Sequence, residues 1–177
     1  TTTQPFWVSY EWKKSEDAVI AQAATPFELV GKLGDGRGGA FYYGDNLDML
    51  LHLLESGYKE KIRLVYIDPP YSTKSAFLNR SQRHAYSDSL AGAEFLEFLR
   101  ERLILIRELL TDDGTIYLHL DGNMAFPMKL IMDEIFGAEN CRAFVTRQKC
   151  STKNSTVKTF GNISDYVMFY SKTSRYV

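Results

Sequence analysis

The run Ile62-Arg63-Leu64-Val65-Tyr66-Ile67 reads as a buried strand, and Asp68-Pro69-Pro70-Tyr71 follows it without a gap. The prolines have no N–H and hold φ nearly fixed. Each also pushes the residue before it into extended backbone. The strand must therefore end at Ile67 in a stiff corner, rich in acceptors and poor in donors, with a ring beside it. The carboxyl end of a strand is where open α/β sheets bind ligands. Such a corner suits a flat substrate that donates from an amino group.

The rest of the chain alternates strand and helix patterns from residue 41 onward. Phe41-Tyr42-Tyr43 reads as a short strand. Leu47, Leu50, Leu51 and Leu54 predict a helix from Asn46 to Glu55, stopped by Gly57. Phe95, Leu99, Leu103, Ile106 and Leu110 predict a long helix over residues 93–110. Asp112-Asp113-Gly114 reads as a turn and residues 115–120 as a strand. Residues 124–136 follow as a helix, with Pro127 in its first turn, where a missing N–H costs little. Residues 143–148 and 163–170 read as two strands that pair as an antiparallel edge.

This pattern predicts an α/β fold with a mostly parallel sheet covered on both faces. Residues 41–177 form its domain. Residues 1–40 read as an arm followed by a glycine-rich loop. In that arm Trp7, Tyr10 and Trp12 suggest packing, and residues 16–24 suggest a short helix. The glycines of residues 31–39 precede a strand and lack a Gly-Lys-Ser/Thr ending, so they read as a plain loop.

At 177 residues, 45% apolar and 24% charged, the chain can bury one sizeable core. No run approaches the roughly 20 apolar residues of a membrane span. Thr1-Thr2-Thr3-Gln4-Pro5 carries no signal pattern. Cys141 and Cys150 show no metal-ligand spacing and read as reduced thiols of a cytoplasmic protein. The net charge of −1 hides an asymmetry. Residues 141–177 hold Arg142, Arg147, Lys149, Lys153, Lys158, Lys172 and Arg175 against Asp165 alone. A second basic patch holds Lys74, Arg80, Arg83 and His84. Such segments contact phosphates or form a solvated loop face.

Asp68 has three readings: general base, metal ligand or hydrogen-bond acceptor. The surrounding loop clusters no His, Cys or second carboxylate, which argues against a metal. The acceptor role fits better. An aromatic amine is a poor nucleophile because its lone pair is delocalised into the ring. Bonds from its N–H groups to Asp68 and the Pro69 carbonyl would localise that pair and offset the positive charge of attack. Tyr71 would stack on the ring for about 1–3 kcal/mol. The plain alternative is a rigid turn with a capping Asp.

Asp45 and Asn46 read both as helix caps and as carboxylate and amide facing a cofactor amine. Asp121 and Asn123 could cap the next helix on the edge that Asp68 occupies. His119 reads as a satisfied core or edge histidine.

These pieces, in order, resemble the DNA adenine-N6 methyltransferases, closest to the modification subunit of type III restriction–modification systems. The likeness runs through Tyr43-Gly44-Asp45-Asn46-Leu47-Asp48 and Leu64-Val65-Tyr66-Ile67-Asp68-Pro69-Pro70-Tyr71-Ser72-Thr73. It continues in Gly114-Thr115-Ile116-Tyr117-Leu118-His119-Leu120-Asp121, Leu130-Ile131-Met132-Asp133-Glu134-Ile135-Phe136-Gly137 and Ser164-Asp165-Tyr166-Val167-Met168-Phe169-Tyr170-Ser171-Lys172. The resemblance implies a Rossmann-like methyltransferase fold, S-adenosylmethionine as methyl donor and a target adenine flipped out of DNA. It assigns the adenine amine to Asp68 and the Pro69 carbonyl, and stacking to Tyr71 beside Pro70. It places Asp45, Asn46 and Asp68 at the cofactor. It also implies a restriction subunit and a homo-oligomer as partners.

One departure limits the likeness. That branch carries a Phe-x-Gly-x-Gly loop for the methionine part of the cofactor after the catalytic corner, and none occurs here. The chain is therefore expected to be an amino-terminal fragment that binds cofactor weakly. A catalytically silent DNA-binding fragment and a methyltransferase acting on RNA or a protein glutamine amide are the rival readings.

Overall fold

Leu109 ends a helix and Leu110 opens a strand, with no residue between them. The chain must reverse at that point, so the helix lies back along the sheet it feeds. A computed structural model describes residues 8–26, 39–69, 93–149 and 163–176. In chain order these form α1 (Glu16–Ile20), α2 (Asn46–Glu55), β1 (Ile62–Ile67), α3 (Ala93–Leu109), β2 (Leu110–Asp121), α4 (Gly122–Phe136), β3 (Cys141–Gln148) and β4 (Ser164–Ser171).

The sheet is mixed, in the order β1-β2-β4-β3. β1 and β2 are parallel, with Ile67 opposite Leu118. β4 is antiparallel to β2 and to β3. The predicted turn at Asp112-Asp113-Gly114 is instead a bulge inside β2. The step from Ile62 to Leu64 on β1 is matched by the step from Leu110 to Thr115 on β2. Gly114 is required there, because a Cβ would lie 2.9 Å from the Thr111 carbonyl oxygen.

The helices predicted over 46–55 and 93–110 form as α2 and α3, with Leu50, Leu51, Phe95, Leu99, Leu103 and Ile106 buried. Ile116, Leu118, Leu120, Met168 and Tyr170 alternate along β2 and β4 and are fully buried beneath the helices. The opposite face differs. Leu64 is 60% exposed, Tyr66 58% and Val145 49%. Tyr117 and Phe169 stack there at 4.5 Å. The expectation of a buried first strand and a sheet covered on both faces therefore fails among the described residues. β1 has a described neighbour on one side only, and its alternate side chains point to an open face.

Other local expectations also shift. Residues 41–43 form no strand, since they meet no partner ladder; Phe41 and Tyr43 are 91% exposed. Pro127 is the sixth residue of α4, not in its first turn, because the helix, capped by Asp121, starts two residues earlier than expected. The helix in the arm stops at Ile20. Tyr10 packs against the core, but Trp12 is exposed. Trp7 and most of the glycine-rich loop lie outside the described residues.

The arm is fastened by charge. Lys13 Nζ donates to Glu134 at 2.6 and 2.8 Å, and the Val8 N–H donates to Glu134 Oε2 at 2.8 Å. Tyr10 donates to Glu97, and the Lys14 N–H donates to Glu97 Oε1 at 3.0 Å. Arg100, only 2% exposed, donates to the Lys14 carbonyl at 3.0 Å.

Candidate active site at the carboxyl edge of the sheet

Asp68 follows directly on β1, at the carboxyl edge of the parallel pair. Its side chain is about half exposed, and its Oδ1 lies 3.1 Å from His119 Nδ1. Ile67 and Leu118 are opposite each other, so Asp68 and His119 extend the same register and share a face. Pro69 is partly buried beside it. Pro70 and Tyr71 lie outside the described residues, as do Lys74, Arg80, Arg83, His84, Cys150, Lys153 and Lys158.

Asp45 comes to the same edge by a different route. The Glu60 N–H donates to the Glu108 carbonyl and the Lys61 N–H to the Leu109 carbonyl, both at 3.0 Å. These bonds tie the segment between α2 and β1 to the end of α3. Both helices therefore run antiparallel to β1 and β2, with their amino ends toward the carboxyl edge. Asp45 is the N-cap of α2 and accepts from the Leu47 N–H at 2.7 Å. Buried Arg102 donates to Asp45 Oδ1 at 2.9 Å, to Asn46 Oδ1, and to the Phe98 carbonyl at 2.7 Å. The Arg102 guanidinium also lies over the Phe98 ring, 3.6 Å from its centroid. Asp45 is thus held by a second helix, a contact the sequence patterns did not suggest. Both of its described donors reach Oδ1, and its side chain is half exposed.

Asp121 does cap α4. It accepts from the Asn123 and Met124 N–H groups at 3.1 Å and from Asn123 Nδ2 at 3.0 Å. With that many donors and 7% exposure it is a structural cap.

His119 departs from the sequence reading. It is buried, yet it reaches two carboxylates: Asp68 by Nδ1, and Asp165 Oδ2 at 3.8 Å by Nε2. Asp165, itself 4% exposed, is held by Lys149 Nζ at 3.0 Å and Arg147 Nη1 at 3.3 Å. Asp165 and Lys149 carried no catalytic signal in sequence, because their meeting with His119 depends on the β2–β4–β3 register.

The basic carboxyl-terminal stretch splits between two edges. Arg147 and Lys149 stand at the carboxyl edge beside Asp165. Arg142 is five residues back along β3, about 17 Å away. It donates to Ser171 Oγ at 2.8 Å and Asn140 Oδ1 at 2.9 Å. Lys172 donates to the Leu110 carbonyl at 2.7 Å, and Arg175 pairs with Asp112. The last three brace the opposite edge, so the described basic residues of 141–177 do not form one phosphate-facing patch.

Comparison with known proteins agrees with this arrangement. The chain is 49% identical over 138 residues to the type II methyltransferase M.EcaI of Enterobacter cloacae, covering 78% of this chain and 30% of that protein. It is 34% identical to the StyLTI Mod subunit, a type III restriction-modification enzyme of Salmonella typhimurium, covering 76% of this chain and 24% of that protein. The chain thus spans less than a third of either relative. The solved structure of PvuII DNA methyltransferase, described as cytosine-N4-specific, matches 76% of this chain and 49% of its own at a TM-score of 0.50 and 21% identity, a likeness of fold. Among the described residues no helix is long and apolar enough to cross a membrane. Residues 62–177 match the N6/N4 family described as DNA methylase, and the chain belongs to that family.

Proposed function

We propose that this chain is the base-gripping part of an S-adenosylmethionine-dependent DNA methyltransferase that modifies adenine N6 in a restriction–modification system. One observation carries the reading. A half-exposed carboxylate stands at the carboxyl end of a parallel strand, with a proline carbonyl next to it, in a chain of the DNA methylase family. Both groups accept hydrogen bonds and neither donates. Asp68 and the Pro69 carbonyl take the two N–H groups of the adenine amine. That localises the nitrogen lone pair toward the incoming methyl group and offsets the charge that develops on nitrogen. Tyr71 stacks on the base.

S-adenosylmethionine, when bound, supplies an electrophilic methyl group on a sulfonium sulfur. The residues present fit its nucleoside part. Asp45 is held on Oδ1 and half exposed, which suits a hydroxyl or amine donor, and Asn46 is fixed beside it by Arg102. Residues 41–177 belong to the catalytic domain and residues 1–40 form its arm. DNA is the substrate, with Arg147 and Lys149 at the edge that carries Asp68, and the basic residues of 72–87 supply further phosphate contacts by their charge. A restriction subunit is the expected protein partner, by likeness to the Mod subunit.

Tritiated methyl transfer to DNA by the full-length protein, set against Asp68→Ala, tests this. The wild type should label adenine and the variant should not. Label on cytosine N4 would overturn the choice of base. Labelling of RNA or of a protein glutamine, with DNA untouched, would overturn the substrate. Undiminished activity in Asp68→Ala would sink the mechanism. DNA binding without any methylation would leave a silent binding module.

A further inference from the structure

We propose that His119 is a positioning residue for Asp68, and that Asp165 with Lys149 and Arg147 holds it in that role. The inference rests on the function proposed above and adds a residue to it. The geometry is a single lane across the sheet. Asp68 follows β1, and His119 lies beside it on β2. Val167 is opposite His119, and Asp165, two residues earlier on β4, projects from the same face. Arg147 on β3 is directly opposite Asp165. The register therefore builds the order carboxylate, imidazole, carboxylate, cation. The distances agree: 3.1 Å from Asp68 Oδ1 to His119 Nδ1, 3.8 Å from Nε2 to Asp165 Oδ2, and 3.0 Å from Asp165 Oδ1 to Lys149.

The lane has one buried end and one open end. His119 and Asp165 are 6% and 4% exposed, whereas the Asp68 side chain is 52% exposed. A histidine that only filled the core would close its bonds inside the core. This one has Asp165 behind it and stands, by Nδ1, against the carboxylate at the ligand edge. A neighbour against Oδ1 restricts the rotamer of the carboxylate, and the angle of the acceptor decides where the amine lone pair points. His119 touches no substrate in this scheme. It acts by fixing the Asp68 rotamer.

Variants of the full-length protein at His119 and Asp68 test the proposal. His119→Ala should lower kcat by about 10- to 100-fold, the size expected for a misplaced reacting group. KM for DNA and for cofactor should stay within about threefold. His119→Asn should recover most of the loss, because its side-chain amide can donate from near the Nδ1 position. The same kcat in His119→Ala as in wild type would overturn the proposal. So would an Asn variant as impaired as the Ala variant. If both variants fail to fold, nitrogen-15 NMR of the His-labelled wild type decides. The Nδ1–H form, with a signal that moves on Asp68→Asn, supports the proposal; an Nε2–H form blind to that change refutes it. Full activity in Asp68→Ala would instead defeat the underlying mechanism, whatever His119 does.

Discussion

Two clusters of buried charge, one between the arm and α3 and α4 and one at the edge of the sheet, end differently. In the arm cluster, Glu134 takes Lys13, the Val8 N–H and an ion-pair contact from Arg100 at 3.5 Å, while Glu97 takes Tyr10, the Lys14 N–H and Arg100. Each carboxylate is surrounded by donors from the arm and from α3, and none of the three side chains Glu97, Arg100 and Glu134 is more than 14% exposed. The carboxyl-edge cluster also combines carboxylates with cations, but its last carboxylate, Asp68, is half exposed. A network that closes on itself fastens one piece of chain to another. A network with an open end delivers an oriented acceptor to whatever arrives there.

This contrast can be broken by experiment. The largest effect should separate chemistry from fastening. Asp68→Ala in the full-length protein should reduce methyl transfer by at least about 100-fold, yet leave protection of the arm amides from hydrogen exchange unchanged. Glu134→Ala should do the reverse. Removing one partner of a buried pair costs about 3–5 kcal/mol, and here it strips Lys13 of Glu134 and leaves Arg100 with Glu97. Exchange at residues 8–14 should accelerate strongly. If the two variants lose activity and arm protection in parallel, the clusters are not distinct devices.

Arg102→Lys comes next. Lysine cannot span Asp45, Asn46 and the Phe98 carbonyl at once. A loss of about 1–2 kcal/mol at the start of α2 should follow in denaturant unfolding, with cofactor affinity falling about tenfold by calorimetry. Unchanged cofactor affinity despite the lost stability would remove Asp45 from the cofactor site.

A pH test sharpens the arm side. Burial, and then the bond to Glu97, raises the Tyr10 phenol well above its ordinary 10.0. Its contribution is complete below pH 10 and is lost as pH rises beyond it, because the unfolded chain releases that proton first. Ultraviolet titration should show Tyr10 ionising after the exposed tyrosines. A Tyr10 that ionises with them would mean the arm is loose in solution.

The smallest effect belongs to the bulge in β2. A bond from Thr111 Oγ1, followed by the nearby Arg63, holds the Asp113 carboxyl below its usual value. A lowered carboxylate stabilises above its unfolded value and stops doing so as pH falls through the folded one. Asp113→Asn should therefore flatten acid unfolding only slightly, since the side chain faces solvent.

Much of the fold was legible in sequence for local reasons. α2 and β1 lie where the leucine spacing and the apolar run predicted them, because period and breaker residues act over a few positions. The caps Asp45 and Asp121 were readable for the same reason. What failed was what depends on neighbours. β1 reads as a buried strand from Leu64 and Tyr66, but both are exposed, since burial is set by what packs on a face. Phe41-Tyr42-Tyr43 has strand character and no ladder to join. The site divides in the same way. Asp68 and Pro69 announced themselves as a strand-end corner, whereas His119 looked like an ordinary strand histidine.

The sequence by itself determined the stiff acceptor corner after β1, the helices flanking it and the family to which the chain belongs. Those properties follow from φ restrictions, missing donors and hydrophobic period, which are written residue by residue. Only the tertiary structure decided that Asp45 is held by Arg102 and that His119 lies between Asp68 and Asp165. It also decided that the basic stretch divides between two edges. The physical reason is register: residues far apart in the chain become neighbours only when strands pair and helices dock, and charge has no period that announces its partner in advance.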